Sequence, residues 1–165
     1  MQIIPLLLKE LDYEVQVTRK FLPLIAEDKF DWKPHAKSTS MKQLAIHIAE
    51  LPSWITMGLN TSEVDFETAP YTPTAINSAK DLVEILERSY ISGKDSLNKA
   101  TEEDLLPSWT LRNGKQILAV MNKYEIIRHS LNQLTHHRAQ LGVYLRLLGI
   151  PIPGSYGPSA DEMNF

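Results

Sequence analysis

Cysteine is missing from all 165 residues. Its absence excludes disulfides, thiolate metal sites and a cysteine nucleophile together. A basic excess is missing too. Seventeen Lys and Arg stand against twenty Asp and Glu, for a net charge of −3, and the cations are scattered along the chain. Nothing there would neutralise a phosphate backbone, so no nucleic-acid partner is expected. No apolar run approaches the roughly 20 residues that cross a bilayer. The opening "MQIIPLLLKELDYE" lacks both a basic leader and a small-residue cleavage site, so neither a membrane span nor a signal peptide is expected. These absences lead to the expectation of a soluble cytoplasmic protein. P-loop, GxGxxG and HExxH motifs do not occur. "PGSYGPS" lacks the spacing and the strand–turn–helix setting of a nucleophile elbow.

What is present is helical periodicity. Over about 2–26, Ile4, Leu7, Leu8, Leu11, Val15, Leu22 and Ile25 recur at spacings of three, four and seven. A second segment over about 40–59 puts Leu44, His47, Ile48, Leu51, Ile55 and Leu59 on one face, with Thr39 or Ser40 as cap and a kink expected at Pro52. The linker "NTSEVDFETAPYTPTAINS" reads as a long crossover. A third helix is predicted over 78–99 and a fourth over 122–148, ended by Gly149, Pro151 and Pro153. "RNGK", between short alternating stretches, predicts a brief hairpin or extended excursion. The tail "GIPIPGSYGPSADEMNF" should be irregular, docked through Ile150, Ile152 and Tyr156. The sum predicts one domain over 1–165, all-α, a four-helix bundle with no competing sheet.

Chemistry concentrates on two faces. His47 lies among Leu44, Ile48 and Leu51, a bundle-core position that alone reads as a hydrogen-bonded core histidine. The fourth helix turns Ile126, Ser130, Gln133, His137, Leu141, Tyr144 and Leu148 inward, and the middle of that face is polar. Gln133 and His137 are one turn apart and point the same way. Buried polar groups need partners. His47 across the interface, a water or a metal could serve. With His47, the pair makes a three-ligand set, in which the amide is a weaker ligand than imidazole. His129 and His136 fall at the flank of the face and read as surface or interface residues, and His35 as a turn residue. Glu10, Asp12 and Glu14 read as a solvated face, and Arg138 as a solvated or snorkelling cation.

"FDWKPHAKSTSMKQLAIHIAELPSW" (30–54) and "RHSLNQLTHHRAQLGVYLRLLGIPIPGSYGPSADE" (128–162) resemble the DinB/YfiT-like superfamily. The resemblance runs the length of the chain and is strongest in "HHRAQLGVYLR" and "YGPSAD". It implies an up-down-down-up bundle, a homodimer, and a divalent ion (zinc, nickel or manganese) on three histidines. One comes from helix two and two from an i, i+4 pair on the last helix. Carried over, these positions are His47, Gln133 and His137, with Gln133 departing from the pattern and implying a weakly held ion. Some members are S-transferases using a low-molecular-weight thiol that the metal activates. The same resemblance implies a pocket bordered by Ser130, Trp54 and Tyr144. A binding protein or dimeric scaffold with a degenerate metal site is the alternative.

Overall fold

Three helix starts are marked by reciprocal caps. Ser40, Ser78 and Asn122 each accept a bond from the backbone N–H three residues on, and the side chain at that position reaches back. Two orphan donors are satisfied at each start, which sharpens the boundary. The computed structural model describes residues 2–163, and in them five α-helices occur with a three-stranded mixed sheet. The helices are α1 (Ile4–Phe21), α2 (Met41–Glu50), α3 (Ser53–Asn60), α4 (Ala79–Lys99) and α5 (Lys123–Leu147). The strands are β1 (Glu63–Asp65), β2 (Ser108–Asn113) and β3 (Gln116–Asn122).

The expectation of an all-α four-helix bundle is corrected on two counts. First, the predicted second helix is two helices. Pro52 has no N–H to give to the preceding turn, and the chain tightens there, with Trp54 N donating to Leu51 O and Ile55 N to Pro52 O. Ser130 on α5 donates to the same Leu51 carbonyl at 2.6 Å. Gly93 on α4 lies so close that a β-carbon there would sit 2.5 Å from the Pro52 carbonyl oxygen. The break is therefore a packed joint.

Second, the excursion after α4 is a true hairpin, and the crossover supplies a further strand. β2 pairs antiparallel with β3, and β1 runs parallel to β2. Gly114 opens the two-residue loop at φ +56°, a conformation that costs a β-carbon-free residue little. Asp65 accepts from Gly114 N and Glu67 N, and its carboxyl is held below the usual carboxylate range mainly by those two backbone donors. Trp109 on β2 is 1% exposed and donates from Nε1 to Thr61 Oγ1 at 2.9 Å, which seats the sheet on the end of α3. The main core lies among the helices, where Leu11, Val15, Ile48, Leu82, Leu86 and Leu134 are fully buried. No helix among the described residues is long and apolar enough to cross a membrane.

The tail beyond α5 is irregular but bonded down. Asp161 accepts from Arg146 and from Ile152 N, and Glu162 accepts from Gly154 N. Arg146 holds the Asp161 carboxyl below its ordinary range, and the Gly154 amide does so first for Glu162. Lowered folded values mean that this attachment is fully present above about pH 4 and is lost as pH falls through the depressed values. Amide exchange at Ile152 and Gly154 should therefore quicken in acid before the helices open. Protection at these two amides that stays unchanged until the helices themselves open would contradict this.

Candidate functional site

His47 stands on the last full turn of α2, and Gln133 and His137 on consecutive turns of α5. The two helices pack together, so the three side chains meet across one interface. His47 Nε2 lies 2.9 Å from Gln133 Oε1, and the His47 and His137 ring centroids are 4.8 Å apart, edge to face. An amide oxygen can only accept, so His47 Nε2–H is the donor in this arrangement. His137 Nδ1 sits 2.8 Å from Gln140 Oε1 and donates to it, which leaves Nε2 with its lone pair. Burial pushes the His137 imidazole below its ordinary value; the bond to Gln140 opposes this, and the neighbouring His47 and His136 add to it. A neutral ring at neutral pH follows.

Above these rings opens a cleft of about 660 Å³ between the loop before α2, the segment 71–73 and α5. His47, Leu44 and His137 line its floor, while Tyr144, Tyr71 and Lys37 stand at its sides. Tyr144 donates to Thr39 O at 3.1 Å, fixing one wall. The other wall is fixed from Glu50, whose carboxylate accepts from Tyr71 OH at 2.6 Å and from Thr74 Oγ1 at 2.5 Å. Burial and Glu50 together push the Tyr71 phenol upward, so it stays a donor. Among the described residues Lys37 is the one Lys or Arg in the lining, and no carboxylate lines the cleft. Such a lining suits a ligand with an anionic end and hydrogen-bonding groups.

The remaining sequence candidates divide. Trp54 meets His47 edge-on at 5.5 Å but lines the neighbouring groove with Glu50 and Ser53. Ser130 is buried on the Leu51 carbonyl at the α2–α3 joint and does not line the cleft. His136 is exposed with its ring 5.0 Å from His137. His35 accepts from Lys37 N in a turn, as a turn residue would. Tyr71 gave no signal in the sequence because it lies in an irregular linker. Gln140 could have been found, being three residues beyond His137 on the same helix side.

Two readings of charge are overturned. Glu14 is 0% exposed and Arg138 2%, and the two form an ion pair at 2.6 Å. Arg138 also donates to Glu14 O and Thr18 Oγ1, while Thr135 and Tyr156 donate to the Glu14 carboxylate. This network lies on the far side of α5 from the cleft and ties α1, α5 and the tail together.

Fold and site together define a helical protein with a histidine-floored cleft. A sequence profile of the DinB family matches residues 2–164, and the chain belongs to that family. It is 22% identical over 160 residues to the uncharacterized protein YrdA of Bacillus subtilis, covering 94% of this chain and 89% of that one. The crystal structure of YjoA, a DinB-like protein from Bacillus subtilis, superposes with a TM-score of 0.71 at 17% identity over 96% of this chain and 99% of that one. A DinB-like protein from Bacillus cereus superposes at 0.68 with 20% identity, over 90% and 94%.

The DinB family is generally associated with a metal. Among the described residues no three His, Cys, Asp or Glu side chains group to hold an ion. The candidate donor set is instead two imidazoles and an amide oxygen. An ion held there would take the place of the His47 Nε2 proton that bridges to Gln133. His47 and Gln133 bond each other across two packed helices, and the His137 ring, edge to face with His47, is anchored through Nδ1 on Gln140.

Proposed function

We propose that this chain is a divalent-metal-dependent enzyme of thiol-transfer type, with His47, Gln133 and His137 as protein ligands and the adjoining cleft as the substrate site. The observation that supports this reading most is the meeting of His47 from α2 and His137 from α5 in the lining of a cleft large enough for a small molecule, with Gln133 bonded to His47 outside that lining. A bound ion would lower the pKa of a coordinated thiol or water towards neutrality. The chain has no thiol of its own, so the nucleophile is a cosubstrate. Lys37 and the Thr39 side of the cleft would take its anionic end. Tyr144 and the Glu50-held Tyr71 would keep the walls apart, and Gln140 would hold the His137 ring in its tautomer.

Protein prepared without a metal-affinity column should bind zinc, nickel or manganese in equilibrium dialysis. Gln133→His should tighten that binding, and His137→Ala should remove it. If both variants keep the wild-type affinity, the ligands are elsewhere. Conjugation of a small thiol to an electrophilic chloroarene should then rise with added metal.

The second reading is a non-catalytic small-molecule-binding protein. What favours it is that Gln133 already has protein partners at both ends of its amide, so the polar floor is satisfied as it stands. Metal-independent ligand binding without thiol conjugation would select this reading.

A further inference from the structure

The groove beside the cleft holds polar groups that the fold itself does not use. It measures about 360 Å³ and lies between α3 and α4, with Tyr71 shared between it and the cleft. Ser53, Trp54 and Met57 of α3 form one wall, and Ile85, Arg88 and Ser89 of α4 the other. Spacings of three and four residues keep each set on one side of its helix.

Ser89 is 7% exposed, yet its hydroxyl bonds no other group among the described residues. Every fully enclosed polar side-chain atom there has a partner, so this hydroxyl opens on the groove. Arg88 beside it is exposed. The carboxylates nearest to it along α4 are engaged elsewhere, Glu84 with Lys80 at 3.7 Å and Glu87 with Arg19. Glu50 also lines the groove, but both its oxygens accept from the linker, from Tyr71 OH, Thr74 Oγ1 and Thr74 N. The groups left over are a guanidinium and a hydroxyl on neighbouring residues. Together they offer N–H and O–H donors to one oxyanion, and the planar fork of a guanidinium matches a carboxylate. Trp54, Met57 and Ile85 supply apolar surface beside them.

We infer that this groove is a second binding site, for a small carboxylate with an apolar body. The carboxylate lies on Arg88 and Ser89, and the body along Trp54 and Met57. Trp54 also meets the His47 ring edge-on, so an occupant lies one side chain away from the floor of the cleft. No metal is required here, so this site stands or falls apart from the ligand set proposed above.

The test uses phenylacetate as the probe, titrated into the full, metal-free chain and followed through ¹⁵N–¹H amide shifts. Saturable shifts are expected over residues 53–57 and 85–89. Phenylethanol, which keeps the body and lacks the charge, should bind roughly 10-fold more weakly, the effect of losing a hydrogen-bonded charge. Arg88→Gln should weaken the acid by a similar factor and leave the alcohol as it is, so that the two bind alike. Ser89→Ala should weaken the acid a few-fold. Arg88 is exposed and Ser89 holds no bond, so both variants should fold.

Lack of saturation by about 10 mM would overturn the inference. So would equal binding of acid and alcohol to the wild type, or an acid affinity unchanged in Arg88→Gln. Shifts centred on Lys37 and Gln140 that vanish in Lys37→Gln would place the carboxylate in the cleft and overturn it too.

Discussion

Arg138→Ala should lower the free energy of unfolding by about 3–5 kcal/mol, the usual effect of leaving a buried charge without its partner. Arg138 and Glu14 are withdrawn from solvent almost entirely, and each spends its remaining bonds on buried or tail groups. Removing the guanidinium leaves a carboxylate enclosed by α1 and α5, with two neutral donors from Thr135 and Tyr156 in place of a cation. Replacing both members, as Glu14→Leu with Arg138→Met, should recover much of the loss, since neither charge then remains to be solvated. Urea unfolding of the two variants at neutral pH checks this. A loss under about 1 kcal/mol for Arg138→Ala, the range of exposed pairs, would mean that water reaches the pair.

Trp109→Ala should cost a similar amount, about 3–5 kcal/mol by comparison with other large core truncations. Trp109 is the buried anchor of the hairpin, and its indole also bonds Thr61 beyond α3. Its loss removes both the apolar contact and that bond. Trp109→Phe should keep most of the stability, because it fills much of the space and gives up chiefly the N–H. Amide exchange adds a local test. Protection in β2 and β3 should fall in Trp109→Ala while the Ile126–Leu145 region of α5 keeps its own. Loss spread evenly over the protein would show that sheet and helices open as one unit.

Much of the helical part was legible because burial and periodicity agree there. Leu44, Ile48 and Leu51 on one helix, and Ile126 and Leu141 on the other, mark faces that only a helix would align. The same faces carried His47, Gln133 and His137 into proximity. The sheet was less legible. "RNGK" announced the hairpin, but β1 is three residues of a polar linker and has no pattern until β2 lies beside it. The α2–α3 break could be read as a kink at Pro52 and no further, because Ser130 and Gly93, which make it a joint, come from helices remote in the chain. Glu14 and Arg138 were invisible for the same reason. Each looks like an ordinary surface charge until residues 124 positions apart are brought together.

The Glu14 network also bears on the order in which the chain can assemble. Its carboxylate receives a cation from residue 138 and a phenol from residue 156, the latter 142 positions along the chain. During synthesis α1 emerges long before either partner exists. Until then Glu14 must remain hydrated, and the face of α1 that carries it, with Leu11 and Val15 nearby, cannot close over it. Contacts this remote in sequence slow folding, since loop closure is paid before they form. A ribosome-bound chain lacking residue 138 would therefore hold its first helix undocked, exposed to chaperones and proteases, whatever the state of the cleft.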